Sequence, residues 1–213
     1  MTNLERSRFE AFLGNDVSFW NYLKTYHNAF NILVKNIEET NVHVDTIAYP
    51  MLFLLRHCLE LGFKANIRYF SKFSEKYDFT NSDTHNIRDL YRAFKNHIDT
   101  AIKNLNVNYS IEVDKANIEE FEQYYNGIEQ LINQFDIIDK DSFCFRYPVD
   151  LKNRSVFDYS DKVNILDIKK LFDNAMVLIN FTSSVFSIYT NYFEMIEEAY
   201  EEEMRIAYGD LGR

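Results

Sequence analysis

PMLFLLRHCLELGFKANIRYF, residues 50–70, opens with a proline suited to the first turn of a helix and then runs 20 residues without another proline. Leu52, Phe53, Leu54, Leu55, Leu59, Leu61, Phe63 and Ile67 make it apolar on most sides, the pattern of a helix at the centre of a bundle. Its charges are confined. At about 100° per residue, Arg56, Glu60, Lys64 and Arg68 fall within a sector of roughly 120°, with His57 on its edge. Arg56, Glu60 and Lys64 form an i, i+4, i+8 ladder of alternating sign, in which each charge can pair with the next. Two readings fit this stripe. It is either the solvated face of a surface helix or a polar site inside the bundle, where Arg56, His57 or Lys64 offers donors to an anion.

The flanking sequence is helical as well. Upstream, a helix is expected from about Asp16, as N-cap, to Thr40, with Phe19, Leu23, Tyr26, Phe30, Leu33 and Ile37 on one stripe. Downstream, the polar cluster 71–84 reads as a loop ending in Asp83 or Thr84 as N-cap of a third helix that runs to about Lys103. Residues 104–113 alternate apolar and polar, which fits one short strand or an extended connector. A fourth helix is expected over about 114–135. The stretch 136–163 has no helical period, contains Pro148 and reads as an extended excursion. The last helix is the longest: Ile168, Leu171, Ala175, Leu178, Thr182, Val185, Tyr189, Tyr192 and Ile196 recur at steps of three and four.

Composition agrees. Only 5 Gly and 2 Pro occur in 213 residues, too few turn signals for a β-sandwich or barrel. The expectation is an all-α, antiparallel helical bundle of about five helices forming one domain, 1–213, with its core over about 16–200 and an acidic helix end and tail at 201–213. Cys58 and Cys144 are too few for a disulfide framework and sit among apolar residues, as expected of free thiols in a reducing compartment. The N-terminus has no secretory pattern, and the longest apolar runs, 51–55 and 175–179, are far short of the roughly 20 residues of a membrane span. A cytoplasmic protein without membrane contact is therefore expected. The net charge of −10 divides unevenly: 194–213 holds seven acidic residues and two basic, whereas 50–104 holds nine basic and six acidic. An anionic ligand belongs with the basic middle, and a basic partner with the acidic end.

Chemistry-bearing motifs are scarce. No two of the five histidines stand at i, i+4, and there is no His-Glu-x-x-His, paired-cysteine, P-loop, dinucleotide-glycine or Gly-x-Ser-x-Gly motif, so no metal and no cofactor is expected. His85 lies at the start of the third helix, near backbone N–H groups that bind anions. Further along it, Arg92 and His97 are a candidate catalytic pair, a phosphate-binding arginine and a general acid or base for metal-independent RNA cleavage.

In order along the chain, the RHCLELGFK helix, the THNIRDLY helix start, the tetrad Phe145-Arg146-Tyr147-Pro148 (FRYP) and the long last helix resemble the HEPN superfamily (higher eukaryotes and prokaryotes nucleotide-binding domain), over about Tyr49 to Phe193. The resemblance implies a bundle of four to five helices and one of two functions. Some members are metal-independent RNases of toxins and phage defence; others are non-catalytic and bind nucleotides or partner with a nucleotidyltransferase. The RNase members carry Arg, a polar residue and a following His near the start of the last core helix. Here no histidine follows Arg146, and the Arg92/His97 pair lies one helix earlier with Ala93 in the polar position. The resemblance therefore implies a non-catalytic, homodimeric member that binds a nucleotide or RNA phosphate. Its ligand-binding residues would be Arg56, His57, Glu60, Lys64, His85, Arg146 and Tyr147, brought together if the FRYP loop folds across the second and third helix starts. The alternatives are a metal-independent endoribonuclease using Arg92 and His97, and an antitoxin or scaffold acting through its acidic C-terminal helix.

Overall fold

A computed structural model describes residues 6–11, 14, 17–40, 42–74, 83–139, 142–150, 152–158 and 161–210. The architecture is an all-α bundle, with no β-strand among the described residues. Its helices are α1 (Phe19–Glu39), α2 (Ala48–Ser71), α3 (Ile87–Tyr109), α4 (Lys115–Gly127), α5 (Glu129–Ile138) and α6 (Ile165–Asp210). A single 3-10 turn, Val44–Thr46, precedes α2. Pro50 takes the first turn of α2, where its missing N–H costs nothing. The N-cap of α1 is Ser18, whose Oγ accepts from the Asn21 amide at 3.1 Å; Asp16, the cap expected from sequence, lies outside the described residues.

Three expected boundaries move. The cap of α3 is Asn86 rather than Asp83 or Thr84, because its Oδ1 accepts from both the Arg88 and Asp89 amides at 3.1 Å. Residues 104–109 are neither strand nor connector. Leu105 continues the buried stripe of Ile98 and Ala101 at helical spacing, so α3 runs on until Ser110 enters the left-handed region at φ 55°. Only then does the chain extend, burying Ile111 and Val113. The expected fourth helix is two: the hydrogen-bonded run ends at Gly127, and α5 starts beyond the buried Ile128.

Helix α2 packs against α1, α3 and α6 and is the centre of the molecule. Met51, Leu55, Cys58, Leu59 and Phe63 on it are fully buried, and burial pushes the Cys58 thiol up to about 12. The closest helix approach is at Gly62: a Cβ there would stand 2.6 Å from Ile179 Cδ1 on α6 and 3.1 Å from Leu23 Cδ1 on α1. α6 has 46 residues, about 69 Å at 1.5 Å per residue, and packs on the core from Ile165 as far as Ile196. By length and composition its span Ile165–Ile206, with a window of mean hydropathy 1.3, is apolar enough to cross a membrane, which the short runs in the sequence did not indicate. Yet Phe172, Ala175, Leu178, Ile179 and Phe186 on it are buried in the bundle, and residues 197–203 beyond them are exposed and largely acidic.

Gly62→Ala forces a methyl into this three-helix contact and is expected to cost about 1–3 kcal/mol. Gly127→Ala, with nothing within 4 Å of the added carbon, is expected to be neutral or to stabilise by up to about 1 kcal/mol. Chemical denaturation of the two variants side by side checks the contrast; equal effects would refute the packing assignment.

Candidate functional site

The charged ladder of α2 does not face solvent. It turns inward, toward the start of α3 and the end of α5. Arg56 is 0% exposed, although its guanidinium carries a full positive charge. Such burial is tolerable only with every donor direction filled. Nε donates to the Asp139 carbonyl at 2.9 Å, Nη1 to Glu60 Oε2 at 2.9 Å, and Nη2 to the His85 carbonyl. One side chain thus joins α2 to the segments that begin α3 and end α5.

Each partner is itself secured. Asp139 is fully buried; its Oδ1 accepts from the Phe143 and Cys144 amides at 2.5 and 2.7 Å, and its Oδ2 lies 3.6 Å from Arg56 Nε. Glu60 Oε1 accepts from Lys64 Nζ at 2.9 Å and from His85 Nδ1 at 2.7 Å. Burial pushes the Glu60 carboxyl up, but Lys64, Arg56 and His85 together outweigh it and hold the group below its ordinary 4.5. Two cations and two carboxylates make the buried cluster neutral.

Only its rim meets water. The His85 side chain is 63% exposed although Nδ1 is held by Glu60, and Lys64 keeps about a tenth of its side chain accessible. With Nδ1–H donated to a carboxylate, Nε2 is the free ring nitrogen. The FRYP loop does fold back onto this region, but through Asp139 rather than through Arg146. Arg146 is exposed, donates from Nε to the Ser142 carbonyl at 2.6 Å and lies against the Tyr147 ring, which stacks on Phe143. Phe145 anchors the loop, buried against Phe135 and Phe157.

The Arg92/His97 pair stands apart from the cluster, whereas His57 lies within electrostatic reach of Glu60, Arg56, Lys64 and His85. His57 packs between Phe53, stacked at 5.4 Å, and Tyr26 of α1, edge-on at 4.8 Å; burial pushes its pKa below 6.5. His97 is buried with Nδ1 2.8 Å from Ser74 Oγ, whereas Arg92 is exposed, so the spacing does not assemble them at one surface. Sequence reasoning missed Asp139. Its signal was slight, a single acid directly after the apolar turn Phe135–Ile138 whose side chain caps the amides four and five residues on.

No family model matches the chain, and neither curated proteins nor solved structures give a match.

Arg56→Met leaves Glu60, Asp139 and the His85 carbonyl without their shared donor and is expected to cost about 3–5 kcal/mol, while Arg92→Ala on the open face of α3 stays within about 0.5 kcal/mol. Urea denaturation of both variants tests this, and a mild Arg56→Met would show that the cluster is not structural. The pH dependence of stability has two stages. Folding depresses His57, and also His27, below 6.5, mainly by burial, so the unfolded chain binds the extra protons and stability falls as pH drops below that value. Glu60, held below 4.5, adds a second loss as pH falls through its folded value. The melting temperature should be level between about pH 7 and pH 8 and decline in these two stages on acidification. His57→Phe, which keeps the ring packing, should lessen the first stage; a melting temperature that rises on acidification would contradict both assignments.

Proposed function

We propose that this chain is a non-catalytic, HEPN-like helical protein that binds the phosphate of a nucleotide or RNA at the rim formed by His85 and Lys64, with the exposed Arg146 of the FRYP loop as a further partner of the anion. One observation carries the reading: a buried carboxylate, Glu60, holds an exposed imidazole and a lysine ammonium on the same oxygen, so the remaining Lys64 ammonium protons and, when His85 is protonated, its Nε2–H are left for an anion at the rim. Arg56 acts behind them as a positioning residue, since its own donors are taken inside the cluster. On this reading the protein works in the cytoplasm as a homodimer, in a toxin–antitoxin or phage-defence setting. A nucleotidyltransferase would be its natural protein partner.

One observation favours a second reading. A carboxylate-held imidazole with a free Nε2 is the arrangement of a general base, so a metal-independent ribonuclease would use His85 rather than the buried His97.

Thermal melting with a panel of nucleotides and short RNAs, in EDTA, tests both. Stabilisation is expected for a phosphate-bearing ligand, weakening with added salt and lost in His85→Ala and Arg146→Ala, with the RNA intact afterwards. No shift with any ligand would overturn the binding role. RNA cleavage that disappears in His85→Ala would replace it with the ribonuclease.

A further inference from the structure

The bundle contains a second feature, lined by other residues of α2 than those of the phosphate rim. α1 and α2 run antiparallel and touch closely where Leu23 meets Gly62. Toward the start of α1 and the end of α2 they leave a cavity of about 760 Å3, within the size range of small-molecule sites. Its walls are the side chains of Phe19, Trp20, Leu61, Ala65 and Tyr69, with Arg68 at the edge. Apart from the Trp20 indole N–H and the hydroxyls of Ser18, Tyr22 and Tyr69, the lining offers ring and aliphatic surface. The Tyr69 hydroxyl is already bonded to Thr190 at 2.7 Å, so it offers its ring. Lys72, also at the edge, is occupied by Glu194 and by the Phe73 ring. Arg68 differs: it is exposed, and its guanidinium has no ion-pair or hydrogen-bond partner among the described residues.

We propose that this cavity is a binding site for a small organic anion with a flat, apolar ring system, its rings lying among Trp20, Phe19 and Tyr69 and its carboxylate, sulfonate or phosphate paired with Arg68. The planar guanidinium supplies the bidentate partner that such an anion needs.

Trp20 is the only tryptophan of the chain, so energy transfer from it reports a dye bound in its neighbourhood, and the Arg68 and Ala65 variants place that dye in this cavity. The probe is 8-anilinonaphthalene-1-sulfonate, compared with its uncharged relative N-phenyl-1-naphthylamine. The sulfonate is expected to bind saturably at about one equivalent per chain with emission sensitised by Trp20. Arg68→Ala, an exposed substitution, should weaken the sulfonate about tenfold and leave the uncharged dye within about twofold. Ala65→Phe, if it folds, should exclude both. The proposal is overturned if neither dye draws energy from Trp20, or if Arg68→Ala weakens the sulfonate by less than about threefold or weakens both dyes alike. Because none of these readouts involves His85, they stand or fall separately from the phosphate rim.

Discussion

A guanidinium buried without water has to find acceptors in every direction, and at Arg56 those acceptors come from three separate parts of the chain. Glu60 is one turn along α2, the His85 carbonyl is 29 residues away and the Asp139 carbonyl is 83 away. This requirement fixes where α3 begins and where α5 ends relative to α2. It also fixes the root of the FRYP loop, since Asp139 spends its carboxylate on the Phe143 and Cys144 amides that start it. Ion clusters of this kind add little net stability over apolar packing, but losing one member is costly, so they favour one arrangement of the segments over others. The aromatic core then packs around a frame whose ends are already set.

The helices were legible because their apolar stripes repeat locally. α1, α2 and α6 could be read from spacing alone, and Asp114 was correctly the start of α4, where its side chain accepts from the Ala116 amide. What failed depended on distant contacts or on single residues. The alternation at Leu105, Val107 and Tyr109 imitates a strand, yet Leu105 also falls on the buried face of α3, and tertiary packing chose the helix. The break at Gly127 and Ile128 had only one glycine as its sign. The charged stripe of α2 was open to two readings because a confined sector of charges looks the same facing water or facing partners 29 and 83 residues away. Of the candidate site, Arg56, Glu60, Lys64 and His85 do gather in one place, but only the last two reach the surface.

That division separates structure from function. The neutral interior of the cluster offers nothing to a ligand, while Glu60 orients the two groups at its rim. The same carboxylate ties both groups to α2. The acidic end of α6 has a different character: residues 197–203 are exposed and largely acidic beyond the packed core, while Glu194 pairs with Lys72 of the basic middle of the chain.

Native-state hydrogen exchange measures the hold of Arg56 on the bundle most directly. If this guanidinium clasp organises the bundle, the Phe143 and Cys144 amides, in a loop, exchange only through global unfolding, with the same opening free energy as the Leu59 and Phe63 amides inside α2, and the Arg56 Nε–H is protected with them. Loop amides that exchange orders of magnitude faster than those of α2 would contradict the account.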